Sequence, residues 1–203
     1  MLRHLLVTLA LAASLSGAAL AEAPQAPAAA ITTHNGLFNG QPVAYRAHVE
    51  AWRVSPGGGD PSGQIITTSY VRTDVPSGPR PVIFLFNGGP GASTTPLHFG
   101  AFGPKRRLGE GAEQRMVDNP DSPLDAADLV FIDPVGTGYS RPLEDGAGQA
   151  FWTPTGDALA VKAVIADWLT AHGRGGSPRY VLGQSYGTTR AALIAQHGAD
   201  LNL

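Results

Sequence analysis

The sequence predicts an α/β fold with a mostly parallel central sheet and an antiparallel N-terminal edge. Three continuously apolar runs, 82–86, 129–132 and 180–182, are typical of central strands that are covered on both faces. An amphipathic helix is predicted between the last two runs, with Thr155 as its N-cap and Gly173 at its end. Strands that alternate with helices in this order form a parallel sheet with right-handed crossovers.

The segment before the first apolar run predicts two further strands. Asn39 and Gly40 form a turn signal, and residues 43–49 alternate apolar and polar side chains as a half-buried strand does. A turn cluster over 55–63 separates this strand from a β-branched one over 64–72. These features favour an antiparallel meander at the edge of the sheet.

Residues 1–21 have the pattern of a cleavable signal peptide. A short positive region is followed by an apolar stretch, and an Ala-Leu-Ala cleavage site closes the segment. We therefore expect an exported protein, periplasmic or secreted, with no membrane attachment after cleavage. A membrane anchor is the alternative, but the apolar stretch is short and interrupted. Residues 22–30 are an Ala/Pro-rich lead-in, and residues 31–203 are expected to form one domain.

Composition and charge limit the classes of function. The 203 residues are 43% hydrophobic and 15% charged, as in a globular protein. The net charge is −2 and no basic run reaches four residues, which argues against a nucleic-acid partner. The chain has no cysteine, so an exported form folds without disulfides. No group of His, Asp and Glu has metal-ligand spacing, so neither a metal nor another cofactor is expected.

The motif Gly-Gln-Ser-Tyr-Gly over 183–187 directly follows the third apolar run and precedes a helix-like stretch over 189–196. A strand, this motif and a helix together are the context of a nucleophile elbow, in which a sharp turn lifts the serine oxygen clear of the backbone. We therefore expect Ser185 to be the catalytic nucleophile. The backbone N–H of Tyr186 is then one donor of an oxyanion hole.

Glycine-rich segments also follow the other two apolar runs, over 87–93 and 133–140. Ligands bind at the carboxyl ends of parallel strands, so these loops should share one site with Ser185. A Gly-Gly pair after a strand lets backbone N–H groups point into a site, as an oxyanion hole requires. Two alternatives stay open. One is a phosphate cradle, although the usual Gly-Lys-Ser/Thr ending and Rossmann spacing are missing. In the other alternative, the glycines only allow tight backbone turns and have no role in binding.

These three segments resemble those of the serine carboxypeptidases, which have the α/β-hydrolase fold. Their order and spacing match, and Gly103-Pro104 falls where the family has a Gly-Pro after its first segment. The run Asn-Gly-Gly-Pro-Gly is the most specific of the matches. The resemblance implies an enzyme that releases C-terminal residues from peptides through an acyl-enzyme on Ser185, with a peptide bearing a free C-terminus as its substrate.

The resemblance also implies roles for five further residues of the site. Gly89 and Tyr186 supply the oxyanion-hole N–H groups. Asn87, Gly88 and Gln184 bind the substrate, with Asn87 helping to hold its terminal carboxylate.

Two positions depart from the family pattern. Gln184 stands where the family usually has Glu, and Ala101 stands where its better-known members carry a second Glu. In the family this pair of acids grips the substrate carboxylate, which needs at least one protonated acid and favours acidic pH. A Gln amide donates a hydrogen bond at any pH. The sequence therefore predicts carboxylate recognition that is weaker or less dependent on acid.

A catalytic base for Ser185 is not evident in the sequence. His197 and Asp200 follow the serine in the reverse of the hydrolase order, and His197 lies roughly 18 Å further along the helix at 1.5 Å per residue. His98 follows the first glycine-rich loop and could border the site. The upstream histidines lack an acid partner in sequence: His34, His48, His98 and His172.

These observations predict the N-terminal portion of a carboxypeptidase, C-terminally incomplete, with the nucleophile and oxyanion hole but without the Asp and His of the triad. Residues 199–203 are expected to lead into another central strand. The alternatives are an esterase or acyltransferase on the same scaffold, and a catalytically inactive fragment.

Overall fold

A computed structural model describes residues 29–75 and 79–203 of the chain. The expected signal peptide and nearly all of the lead-in fall outside these ranges, so both stay predictions. Within the described ranges, no helix combines the length and apolar character needed to span a bilayer.

The N-terminal edge is the predicted antiparallel meander with one extra strand. β1 (Ala30–Phe38), β2 (Gln41–Val54) and β3 (Gly63–Arg72) pair in sequence order. Asn39 and Gly40, at φ 48° and 78°, make the two-residue turn between β1 and β2, as this pair predicts. β1 is absent from the sequence prediction because its residues are mostly exposed and do not alternate apolar with polar side chains; the strand pairs with β2 along its whole length.

The first central strand, β4 (Val82–Phe86), is as predicted, and several small elements follow it. α1 (Thr95–Leu97) continues into a π-helical turn over His98–Phe102. β5 (Lys105–Leu108) and β6 (Arg115–Asp118) then form a separate two-stranded sheet. The sequence does not predict this hairpin because its residues are mainly charged and exposed.

The remaining strands complete the predicted strand–helix alternation. β7 (Asp128–Asp133) is the second central strand, and β8 (Arg141–Pro142) is a short pairing with β3. α2 (Gly148–Phe151) precedes the long crossover helix α3 (Pro154–Ala171), which leads to β9 (Arg179–Gly183).

The start of α3 differs from the predicted one, and the helix after β9 begins earlier than predicted. Thr153, not Thr155, is the N-cap of α3, and its hydroxyl accepts a hydrogen bond from the Gly156 N–H at 3.1 Å. Pro154 explains the difference, because proline fits the first helical position and places the cap directly before it. After β9, α4 (Tyr186–His197) begins immediately beyond Ser185.

Residues 199–203, which the sequence predicts to lead into another central strand, do not themselves form a strand. Ala199–Leu201 form a 3₁₀ turn instead, and Leu201 is buried in the core that contains Ile194 of α4. The apolar side chain therefore packs under the end of the helix and does not begin a strand.

The sheet order is β1-β2-β3-β7-β4-β9. β4 lies parallel to both β7 and β9, whereas β3 is antiparallel to β7. Since parallel strands end on the same side, the segments that follow β4, β7 and β9 meet at one edge of the sheet. This edge carries all three motifs found in the sequence.

One core fills each face of the sheet. On the α3 face, Trp168 packs edge-on against Phe84 with ring centroids 5.6 Å apart. The opposite face buries Leu85, Phe131 and Tyr70. Each such side chain contributes about 1.5–3 kcal/mol on full burial. These two cores fix the strands whose ends carry the site.

Candidate active site

Ser185 occupies a strained turn between β9 and α4. Its backbone dihedrals are φ 57° and ψ −127°, a conformation that costs a non-glycine residue on the order of 1–3 kcal/mol and is found mainly at functional sites. Its carbonyl accepts hydrogen bonds from the N–H and the hydroxyl of Thr188, both at 2.8 Å. The turn thereby leaves the Ser185 side chain exposed at the head of the helix.

The glycines on either side of Ser185 are required by close backbone contacts. A Cβ at Gly183 would lie 2.0 Å from the carbonyl oxygen of Gly187. A Cβ at Gly187 would lie 2.8 Å from the carbonyl oxygen of Phe86 at the end of β4. The motif therefore has glycine at both positions because the elbow folds tightly on itself and against the neighbouring strand.

The first glycine-rich loop packs directly against the elbow. A Cβ at Gly88 would lie 2.4 Å from the backbone nitrogen of Tyr186 and 2.7 Å from that of Gly187. Gly89 has φ +108° and a cis bond to Pro90. Across the described ranges, the N–H groups of Gly89 and Tyr186 donate to no acceptor. Two unpaired N–H groups on adjoining segments suit an oxyanion.

Asn87 and Gln184 contact each other across the same junction. The Asn87 side-chain nitrogen donates to Oε1 of Gln184, and its oxygen accepts from the Leu97 N–H at 3.1 Å. Asn87 is buried, whereas Gln184 is exposed. The Asn87 amide therefore holds the loop, and the amide nitrogen of Gln184 keeps its two N–H donors for a ligand.

A buried ion pair links α4, the helix that follows the elbow, to α3, and the same arginine links α4 to the first glycine-rich loop. Arg190 of α4 is 2% exposed, and its Nε lies 2.8 Å from Oδ2 of Asp157 in α3. Its Nη1 donates to the Asn87 carbonyl at 2.6 Å. The guanidinium lies 5.3 Å from the ring centroids of both Phe86 and Tyr186. Arg190 thus fixes the first loop, α3 and α4 relative to one another.

The electrostatics of this pair follow from its burial. Burial raises the pKa of Asp157, and the charge of Arg190 acts in the opposite direction. Burial also raises the pKa of Tyr186, and the nearby Asp157 carboxylate acts in the same direction, so Tyr186 stays neutral at physiological pH. Sequence reasoning missed Arg190 and its role. The available signal was a charged residue on a helix face that is otherwise buried.

Asp133 joins the first and second glycine-rich loops. Its Oδ1 accepts a hydrogen bond from the Thr94 N–H at 2.7 Å, and burial raises the pKa of the carboxyl. A Cβ at Gly138 would lie 2.0 Å from Oδ2 of Asp133, so the second loop also closes onto this side chain. Asp133 therefore organises loops, as its position in the motif suggests.

A cleft of about 350 Å³ opens beside these loops. Pro90 comes from the first loop, Gly136 from the second and Tyr186 from the elbow. Trp152 is 65% exposed and also lines this cleft. The cleft therefore lies beside all three glycine-containing segments.

None of the described histidines pairs with Ser185. Within 29–75 and 79–203, the Ser185 hydroxyl has no hydrogen-bond partner. His98 is buried, its Nε2 lies 2.6 Å from the Tyr70 hydroxyl, and its ring stacks on Phe131. Burial lowers the pKa of His98 to about 4. His98 is thus a packing residue, and His197 is exposed at the far end of α4.

Comparisons with known proteins identify the family of this chain. A model of the serine carboxypeptidase family matches residues 70–200. Serine carboxypeptidase-like 36 of Arabidopsis thaliana is 30% identical over 141 residues, which are 67% of this chain and 28% of that protein. Serine carboxypeptidase-like 9 of the same plant is 30% identical over 128 residues, 58% of this chain and 27% of that protein. The chain thus spans little more than a quarter of these curated relatives.

One solved structure supports the fold. The crystal structure of Kex1Δp, a prohormone-processing carboxypeptidase from Saccharomyces cerevisiae, matches with a TM-score of 0.56 at 20% identity, covering 74% of this chain and 34% of that one. This likeness confirms the predicted α/β-hydrolase fold. Since the family model covers more than half of the residues, the chain belongs to the serine carboxypeptidase family.

Proposed function

We propose that this chain carries the nucleophile and the oxyanion hole of an enzyme that releases C-terminal residues from peptides. The observation that supports this most directly is the contact of Gly88 with the backbone of Tyr186. It brings the unpaired N–H groups of Gly89 and Tyr186 to adjoining segments beside the strained Ser185. The same arrangement stabilises oxyanions in acyl-transfer enzymes.

In the proposed reaction, the Ser185 hydroxyl oxygen attacks the carbonyl carbon of the last peptide bond while a base removes its proton. The carbonyl oxygen becomes an oxyanion that accepts hydrogen bonds from Gly89 and Tyr186. Collapse breaks the C–N bond, and the leaving amine takes a proton and departs as the C-terminal amino acid. Water then hydrolyses the ester on Ser185.

The base for this step is proposed to lie outside the described residues. This follows from the positions of the histidines, because His98 is held in the core by Tyr70 and His197 ends α4. Without its base, a nucleophile and oxyanion hole retain only residual catalysis.

Gln184 is proposed to recognise the substrate carboxylate. Its oxygen is occupied by Asn87, so its amide nitrogen is the group left for a ligand. A neutral N–H donor binds a carboxylate without first taking up a proton.

An external base tests the proposal. Imidazole added to the full chain should accelerate labelling of Ser185 by a fluorophosphonate. We expect this acceleration in the wild type and in the Ser55→Ala control, and its loss in Ser185→Ala. Labelling that does not depend on Ser185 would contradict the proposed nucleophile. Rapid labelling without imidazole would contradict the external position of the base.

A second candidate is an esterase or acyltransferase with the same nucleophile, favoured by Gln184 and Ala101 in place of two acids. Binding separates the candidates without requiring turnover. A carboxypeptidase site should bind an N-blocked dipeptide with a free C-terminus more tightly than its amide, whereas an esterase site should not distinguish them.

A further inference from the structure

A cluster of three metal-ligating side chains lies on the α3 face of the sheet, apart from Ser185. His48 and Glu50 belong to β2, and His172 is the residue that ends α3. One ligand atom from each lies within 4.8 Å of the other two. Residues two apart in a strand share a face, so His48 and Glu50 both point towards the helix end that carries His172. The three residues are partly buried.

The distances suit a small metal ion. Nε2 of His172 lies 3.0 and 3.1 Å from the two carboxylate oxygens of Glu50. Nitrogen and oxygen ligands at about 2.0–2.1 Å from a tetrahedral zinc ion lie about 3.3 Å from each other. One edge of such a site is therefore already formed. The His48 ring lies close by, with its centroid 5.3 Å from that of His172. A small movement of this ring towards Glu50 and His172 would bring its nitrogen to the distance of a third ligand.

Neighbouring residues hold the ligands in position. The ring of His172 stacks on Trp168, with centroids 4.2 Å apart and planes 17° from parallel. The His172 N–H donates to the Trp168 carbonyl at 3.0 Å. The indole is fully buried, so it fixes the imidazole plane and leaves Nε2 directed at Glu50.

Two polar groups, one in the cluster and one beside it, have no hydrogen-bond partner among the described residues. The ring nitrogens of His48 make no hydrogen bond to any described residue. Ser69, directly opposite His48 in β3, is fully buried, and its hydroxyl is unpaired. Residues opposite each other in paired strands have Cβ atoms about 4.5–5.5 Å apart on one face. A water on the open position of a three-ligand metal would give the Ser69 hydroxyl a partner.

We propose that His48, Glu50 and His172 bind a divalent transition metal ion, with zinc as the ion that fits best, and leave one position open to water. Two imidazoles and one carboxylate are a ligand set that zinc accepts. The ion would join β2 to the end of α3, in place of the hydrogen bond between His172 and Glu50 that links them here. Cations near the cluster oppose binding: Arg46 lies two residues before His48, and Arg72, Arg80 and Arg174 line one pocket with Arg46 and His172.

The site lies away from the acyl-transfer machinery. Fifteen residues of sequence separate Asp157, beside the elbow, from His172, about 22 Å along the axis of α3 at 1.5 Å per residue. A metal at His172 therefore contributes to stability, and the proposal does not depend on the activity proposed for Ser185. It also departs from the sequence prediction of no metal, since the ligands are brought together only by the fold.

The full chain, freed of metal with a chelator, is titrated with Zn²⁺ against a chromophoric chelator. We expect one competing site in the wild type and at least a tenfold loss of affinity in Glu50→Gln and in His172→Gln. His197→Gln, a control at an exposed histidine, should bind as the wild type does. Equal affinity in the control and in the ligand variants would overturn the proposal.

Two measurements keep the test independent of whether a variant folds. Co²⁺ added to the wild type should give the intense visible absorption of a tetrahedral complex, and the weak spectrum of an octahedral ion would overturn the proposed geometry. Zn²⁺ should also raise the unfolding midpoint of the wild type, because a ligand that binds the native state stabilises it. An unchanged midpoint would contradict the site.

Discussion

Gly88→Ala is the substitution that most directly tests how the oxyanion hole is built. The added Cβ would lie 2.4 Å from the Tyr186 nitrogen, whereas ordinary contact begins at 3.4 Å. The Cβ is fixed to the backbone of the loop, and the nitrogen belongs to the backbone of α4, so neither atom can rotate out of the contact. The loop and the N-terminus of α4 must therefore separate by about 1 Å. A displacement of this size can cost about 100-fold in rate. Overpacking of this kind also destabilises the fold by about 1–3 kcal/mol.

The assay is fluorophosphonate labelling of Ser185 with imidazole as the external base, combined with urea unfolding. We expect Gly88→Ala to label about 100-fold more slowly than the wild type while remaining folded. Gly57→Ala is the matched control, because a Cβ there meets nothing within 4 Å and the backbone has an ordinary φ. The control should label at the wild-type rate.

Equal labelling rates for Gly88→Ala and Gly57→Ala, with both variants folded by circular dichroism, would contradict the proposed arrangement of the oxyanion hole. That result would mean that the loop can move away from Tyr186 without disturbing the donors. Unfolding energies separate the two effects, since a loss of rate with unchanged stability places the damage at the site itself.

Substitutions of Gln184, Arg190 and His98 give three further predictions. Gln184→Glu should make binding of a free-carboxylate dipeptide tighten as the pH falls, because the introduced acid must be protonated to donate; equilibrium titration across pH measures it. Arg190→Met leaves Asp157 buried without its cation and should cost about 3–5 kcal/mol in urea unfolding, with less than additive loss when Asp157→Asn is added. The pKa of His98 is lowered to about 4, so the unfolded chain takes up this proton first and stability should fall from about pH 6.5 to pH 4 by about 1.4 kcal/mol per unit. His98→Gln should flatten that slope.

The parts of the fold that sequence predicts are those specified by local pattern. β4 and β7 are buried on both faces, so their runs are continuously apolar and appear as strands without any knowledge of their neighbours. Ser185 is recognisable because a tight elbow needs glycine on both sides, at positions where a Cβ would meet backbone. Here the physical requirement and the sequence signal are the same.

The elements that sequence misses depend on partners that lie far away in the chain. β1 is mostly exposed, has no alternating pattern and is held as a strand by pairing with β2. Arg190 contacts Asp157 and the Asn87 carbonyl across 33 and 103 residues, so no local pattern predicts the pair. The same holds for His172 and Glu50, which are 122 residues apart. Helical or strand periodicity carries no information at these separations.

The strain at Ser185 also explains why the site needs the polar contacts around it. A positive φ at a serine persists only when its surroundings offset a cost of order 1–3 kcal/mol. One stabilising contact near the elbow is the hydrogen bond that Arg190 donates to the carbonyl of Asn87. Asp133 secures the first loop from the other side through the Thr94 N–H. Arg190 is buried and Asp133 is partly buried, and each side chain hydrogen-bonds to the backbone of another segment, so the loops support one another. The N–H groups of Gly89 and Tyr186, the proposed oxyanion donors, are therefore held by these contacts within the fold. Donors that are positioned before the reaction begins are those that lower an activation barrier most.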